Sequence, residues 1–156
     1  MTRKRAPHAG PRTSARMAAV QALYQLEMTG GTAGDVIREF MLHRINRSKN
    51  RRPPDVALFS DLVAGVMRDP GPVDARIARL LMSGWDIERL EATLRAILRL
   101  GVYELANHEA TPAEVVIAEY VDIAHAFHDD RAVGLVNGVL DSVSGELRSA
   151  GRNGGA

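Results

Sequence analysis

Cysteine is absent from all 156 residues, so no disulfide can staple the chain and no thiolate can hold a metal or attack a substrate. A reducing compartment is allowed, and a cytoplasmic location is expected. Aromatic residues are scarce, with one Trp, three Tyr and three Phe. No run of about 18 apolar residues occurs, which leaves nothing to span a bilayer as a helix. The segment Met1 to Pro11 is basic with no apolar stretch behind it, and it does not read as a secretory signal. No Gly-Lys-Ser/Thr exists to cradle a phosphate. No segment alternates apolar and polar side chains as a half-buried strand would. The one β-like run, Val115-Val116-Ile117, lies inside helical periodicity and is read as buried helix.

What the chain does have is apolar residues, 46% of the total, arranged at helical spacing. A first helix is expected over Arg12 to Met28, with Ala18, Ala22, Leu23 and Leu26 inward and Thr29-Gly30-Gly31 as its stop. A second covers Ala33 to Ile45. A loop from Asn46 to Pro54 follows, because Pro53 and Pro54 oppose helix. A third helix opens near Asp55, carries Val56, Phe59, Leu62, Val63 and Val66, and ends at Asp69-Pro70-Gly71-Pro72. A fourth carries Val73, Ile77, Leu80 and Leu81. Ser83-Gly84 breaks it, and a short turn runs from Trp85 to Leu90. A long helix spans Glu91 to His108. Thr111-Pro112 has the order of a cap before the next, which reaches Phe127 with that ring on its inward stripe. Asp129-Asp130 marks a break and an N-cap, and a last helix carries Val133, Val136, Val139, Leu140, Val143 and Leu147. The expected fold class is therefore all-α, about seven helices with short connections. The expected layout is a disordered basic arm over residues 1–11, one helical domain over 12–150 and a frayed tail over 151–156.

Charge is unevenly placed. Residues 1–52 hold 11 Lys/Arg against three Asp/Glu, a net of +8, while the rest carries −7. Such a split points to a polyanion for the basic end, although a solvated tail would look the same.

Catalytic chemistry is not evident, and no enzyme activity, metal or cofactor is expected. His125 and His128 sit three apart on a helix, but a metal site wants three or four ligands. Glu114, Glu119 and Asp122 read as a solvated helix face. The basic residues say more. Arg3, Lys4 and Arg5 lead to Arg12 and Arg16, which are four apart, and the same row continues through residues 20 and 24. Gln21 and Tyr24 follow on that helix. Cations attract phosphates and an exposed ring stacks an unpaired base, a combination suited to single-stranded RNA. The competing reading of Tyr24 is a core ring with only its hydroxyl at the surface. The basic residues from Arg44 to Arg52 fit either another phosphate contact or a flexible loop, and the loop is the preferred reading.

Three stretches together resemble the NusB family. They are Ala15-Arg16-Met17-Ala18-Ala19-Val20-Gln21-Ala22-Leu23-Tyr24; Trp85 with Arg89-Leu90, continued by Arg95-Ala96-Ile97-Leu98-Arg99-Leu100-Gly101-Val102-Tyr103-Glu104-Leu105; and Pro112 to Ala124 followed by Val136-Asn137-Gly138-Val139-Leu140-Asp141. Phe59-x-Asp61-Leu62-Val63-x-Gly65-Val66 fits as well. The resemblance covers roughly residues 12–145.

It implies two three-helix sub-bundles, with an additional helix, sharing one core. It also implies a transcription antitermination factor that binds boxA-type single-stranded RNA with the ribosomal protein NusE. Such a factor acts on the RNA polymerase elongation complex through other Nus factors, above all in ribosomal RNA operons, as a monomer or weak homodimer. The implied RNA face comprises Arg3, Lys4, Arg5, Arg12, Arg16, Gln21, Tyr24, Arg95 and Arg131, and the implied partner face Leu94, Arg95 and Arg99. Gly138 would permit close helix packing, and Asn137 would bond a neighbouring backbone group. Leu94, Ala118, Leu135 and the segment Arg131 to Gly134 depart from the family pattern. Two other readings compete: a domain related to the RNA-binding part of ribosomal RNA cytosine methyltransferases, and a protein-interaction bundle that binds no RNA.

Overall fold

The computed structural model describes residues 10–47, 54–81 and 84–154. Arg3, Lys4 and Arg5, the rest of the expected arm up to residue 9, and residues 48–53 of the basic loop lie outside them. Seven helices and no strand occur among the described residues: α1 (Pro11–Thr29), α2 (Ala33–Arg47), α3 (Val56–Arg68), α4 (Pro70–Leu80), α5 (Ala92–Asn107), α6 (Ala113–Phe127) and α7 (Asp130–Gly154). None is long and apolar enough to cross a membrane.

The punctuation residues act as expected. Pro11 starts α1, where its missing N–H is no loss. Gly30, at φ 75°, ends it by donating its N–H to the Leu26 carbonyl. Asp55 caps α3 by accepting from the Leu58 N–H at 3.0 Å, and Asp129 does the same for α7 through Ala132. Thr111 departs from expectation. Pro112 is the capping residue of α6, and the Thr111 hydroxyl instead accepts from Arg12 at 3.2 Å. Helix α2 runs to Arg47, two residues past its expected end. Helix α7 continues to Gly154, beyond the Gly151 chosen as the start of a frayed tail. Gly151 weakens a helix there without stopping it.

The helices pack as α1–α2–α3 and α5–α6–α7, with α4 laid against α5 and α7. Helix α5 is shared, touching α1 and α3 on one side and α6 and α7 on the other. One continuous core results; ten of the sixteen residues of α5 are buried, seven of them apolar side chains in that core.

Two glycines set close approaches, and Gly138 is not one of them. A Cβ at Gly65 would lie 2.1 Å from the Tyr103 ring, and one at Gly101 would lie 2.7 Å from Leu140. A Cβ at Gly138 would meet nothing within 4 Å, and Asn137 beside it is exposed. Gly65→Ala is therefore expected to cost about 3 kcal/mol through overpacking. Gly138→Ala should gain roughly 1 kcal/mol of helix propensity. Urea unfolding of the two variants checks both; a Gly65→Ala midpoint equal to wild type would show that the Tyr103 ring moves aside freely.

Candidate nucleic-acid interface

The four positions Arg12, Arg16, Val20 and Tyr24 do not share a face. Steps of four residues drift by about 40° each, so Arg12 and Tyr24 end up about 120° and about 18 Å apart. Arg12 is exposed at the start of α1. Arg16 is 2% exposed and Val20 1%, and both point into the bundle. The assignment of Arg16 to an RNA face is thus corrected: its charge is consumed inside the protein.

That interior network joins three helices. Arg16 Nη2 donates to Glu104 Oε2 at 2.6 Å and Nε donates to Oε1 at 2.9 Å, a two-pronged pairing. Tyr120 donates its hydroxyl to Glu104 Oε1 at 2.8 Å. Thr13 donates to Glu119 Oε1 at 2.8 Å, and Arg16 Nη1 lies 3.6 Å from the same oxygen. Burial works against the Arg16 charge. The hydrogen bonds and charge of Glu104, helped by Tyr120 and Glu119, outweigh it and hold the guanidinium above its ordinary value. Burial, then the Glu104 carboxylate, pushes the Tyr120 phenol well above its ordinary value.

The Leu94, Arg95 and Arg99 group divides. Leu94 is 3% exposed and belongs to the core, so it cannot be a partner contact. Arg95 is also largely buried. Its Nη1 donates to the carbonyls of Ile87 and Leu90, both at 2.8 Å, and Nη2 pairs with Glu27. It therefore staples the 3-10 turn Ile87–Arg89 to α5 and α1, and does not reach out to RNA. Arg99 is part-exposed and grips Asp74 with two bonds of 2.8 and 2.9 Å. Glu27, Asp74, Glu88, Arg95 and Arg99 line a polar cleft of about 510 Å³. Arg131, at the start of α7, is exposed and lies 4.8 Å over the Trp85 ring. It is not among the groove residues described next.

Of the seven aromatic residues, only Tyr24 and Phe127 are strongly exposed, at 43% and 44%. Both line one groove of about 450 Å³. Helix α1 supplies Val20, Gln21 and Tyr24, the start of α5 supplies Glu91, Ala92 and Thr93, and the end of α6 supplies Phe127. Tyr24 also borders a second groove, between α1 and α2, with Gln25, Met28, Phe40 and His43. The reading of Tyr24 as a sealed core ring fails, and the exposed alternative holds. Phe127 was missed. Its place in the apolar stripe of α6 suggested burial, but it is the last helical residue and overhangs the surface it would pack on. A phenylalanine just before the His128-Asp129-Asp130 break was the available signal. His125 is exposed, whereas the His128 side chain is buried.

Two π faces across an open groove, with Gln21 and Thr93 on its walls, can stack a flat ring and hydrogen-bond its edge. The chain compares with known proteins as follows. A model of the NusB family matches residues 13–145. The transcription antitermination protein NusB of Nitrobacter hamburgensis is 45% identical over 144 residues, covering 90% of both chains. That of Caulobacter vibrioides is 45% identical over 141 residues, covering 88% of this chain and 95% of its own. Among solved structures, T. maritima NusB superposes with a TM-score of 0.75 at 27% identity, covering 88% of this chain and 92% of that one. A crystal structure of antitermination factors NusB and NusE in complex with double-stranded RNA gives 0.72 at 28% identity, covering 87% and 97%.

Proposed function

This chain belongs to the NusB family, whose members are non-enzymatic, and on that premise we propose that it is an RNA-binding transcription antitermination factor whose Tyr24–Phe127 groove receives single-stranded RNA of the boxA type. The observation that carries this reading is the pairing of the two exposed rings in one groove. A buried aromatic would give stability alone. An exposed one gives a stacking platform open to any unpaired base. Arg12, exposed at the front of the same helix, and the cations Arg3, Lys4 and Arg5 before it in the sequence supply sequence-independent attraction to phosphate.

The protein partner is a NusE-type ribosomal protein, as in the solved complex of NusB and NusE with RNA. It approaches the polar cleft edged by Arg99, where part-exposed charges can be re-paired across an interface. Through it the protein joins the RNA polymerase elongation complex on ribosomal RNA operons. That solved complex contains double-stranded RNA, which makes duplex the competing substrate.

A gel shift separates the alternatives. The probes are a boxA-like single strand, its scrambled counterpart and a duplex of the same sequence, each at several salt concentrations, with and without NusE. The boxA-like strand is expected to bind most tightly, more so with NusE, and with an affinity that falls as salt rises. Equal binding to all three probes would leave a non-specific polyanion binder. No binding at any salt would leave a protein-interaction bundle.

A further inference from the structure

His128 contacts two residues of the groove wall. It follows Phe127 directly, donates its backbone N–H to the Ala124 carbonyl at 2.8 Å, and has a side chain only 6% exposed. Its Nε2 lies 2.9 Å from Thr93 Oγ1, and its Nδ1 lies 3.3 Å from Glu91 Oε2. Glu91 and Thr93 are wall residues of the groove. The imidazole therefore ties the end of α6, which carries Phe127, to the start of α5.

One tautomer of the neutral ring satisfies both contacts. A carboxylate only accepts, so in the neutral ring the proton sits on Nδ1, facing Glu91. Nε2 is then an acceptor, and Thr93 must donate its single hydroxyl hydrogen to it. What remains on Thr93 Oγ1 is a lone pair. We propose that the Glu91–His128 pair sets Thr93 as an obligate hydrogen-bond acceptor in the groove, which selects strands carrying a donor beside the stacked ring. Two kinds of group on RNA have that chemistry: a base N–H, exocyclic or in the ring, and the ribose 2′-hydroxyl. The inference rests on the groove being the RNA site, and it adds which edge or sugar the groove reads.

The test uses the full chain and three labelled single strands: RNA of all four bases, its 2′-deoxy counterpart, and all-(3-methyluridine) RNA, whose bases carry no N–H. Thr93→Val keeps the shape and removes the oxygen; it is expected to weaken binding of the mixed RNA about tenfold. Thr93→Ser keeps the hydroxyl and should restore it. The loss should vanish on the 3-methyluridine strand if a base N–H is the donor, and on the 2′-deoxy strand if the sugar is. Thr93→Val leaves His128 Nε2 without its donor and should lower the unfolding temperature, so binding is measured well below its unfolding transition. Affinity of Thr93→Val equal to wild type on the mixed RNA overturns the inference, and so does a tenfold loss that persists on both other strands. If Tyr24→Ala loses all three strands while Thr93→Val loses none, the groove stands as the RNA site and only the role of Thr93 falls. If the wild type binds none of the strands, the groove reading itself falls, and this one with it.

Discussion

Arg16→Met should lower stability by about 3–5 kcal/mol, because it leaves the Glu104 carboxylate buried without its counter-charge. Glu104 is 0% exposed and Arg16 2%, so water cannot reach in to replace the guanidinium. For a domain of this size the loss corresponds to a melting temperature lower by roughly ten degrees. Removing the three fully buried members together reverses the sign of the argument. In Arg16→Met, Glu104→Leu, Tyr120→Phe no fully buried charge or hydroxyl is left unpaired, the part-exposed Glu119 keeps its hydrogen bond from Thr13, and apolar replacements of buried ion pairs are often neutral or stabilising. The triple variant should therefore melt far closer to wild type than the single one. A single variant with the wild-type midpoint would show that the network is not closed. Because the Tyr120 value is raised in the fold, the stabilisation tied to its protonated form is complete at neutral pH and is lost only as pH rises through that elevated value. The consequence for RNA experiments is direct. Arg16→Glu would place two carboxylates together inside the protein and unfold it, so its loss of RNA binding would say nothing about contacts. Arg12→Glu, at an exposed position, tests phosphate attraction cleanly.

The fold was readable because its punctuation is local. Gly30, Pro70, Pro112 and Asp129 act within a few residues of where they stand, and the apolar period of 3.6 needs no partner to be seen. The direction of a polar side chain needs a partner that local sequence cannot name. Arg16 looked like the second cation of a surface row, and its burial depends on Glu104, 88 positions away. The same holds for Gly65 and Gly138. Both stand in matching family segments, but only Gly65 faces a ring, supplied by Tyr103 from another helix. Phe127 shows the converse. Periodicity gives the side of a helix but not where the surface it packs on stops, so the last residue of a stripe can hang over a groove. The site was thus half legible: Tyr24 and Gln21 stand on it, Arg16, Leu94 and Arg95 are interior, and Phe127, Thr93 and His128 emerge only in three dimensions.

Replacing both Tyr24 and Phe127 with alanine should weaken single-stranded RNA binding by about a hundredfold or more, since each stacked base is worth roughly 1–3 kcal/mol. Both rings are more than two-fifths exposed, so the fold should survive the change. Tyr24→Phe keeps the π face and should bind nearly as wild type. The salt dependence then separates stacking from charge. Loss of two rings removes no phosphate contact, so affinity falls by a similar factor at every salt concentration and the slope against salt is kept. Arg12→Ala should do the opposite, with a small loss and a shallower slope. An affinity unchanged in the double alanine variant would remove the groove from the RNA path. Loss of NusE binding with RNA affinity intact would make the same two rings a protein contact instead, because exposed aromatics anchor protein interfaces as readily as they stack bases.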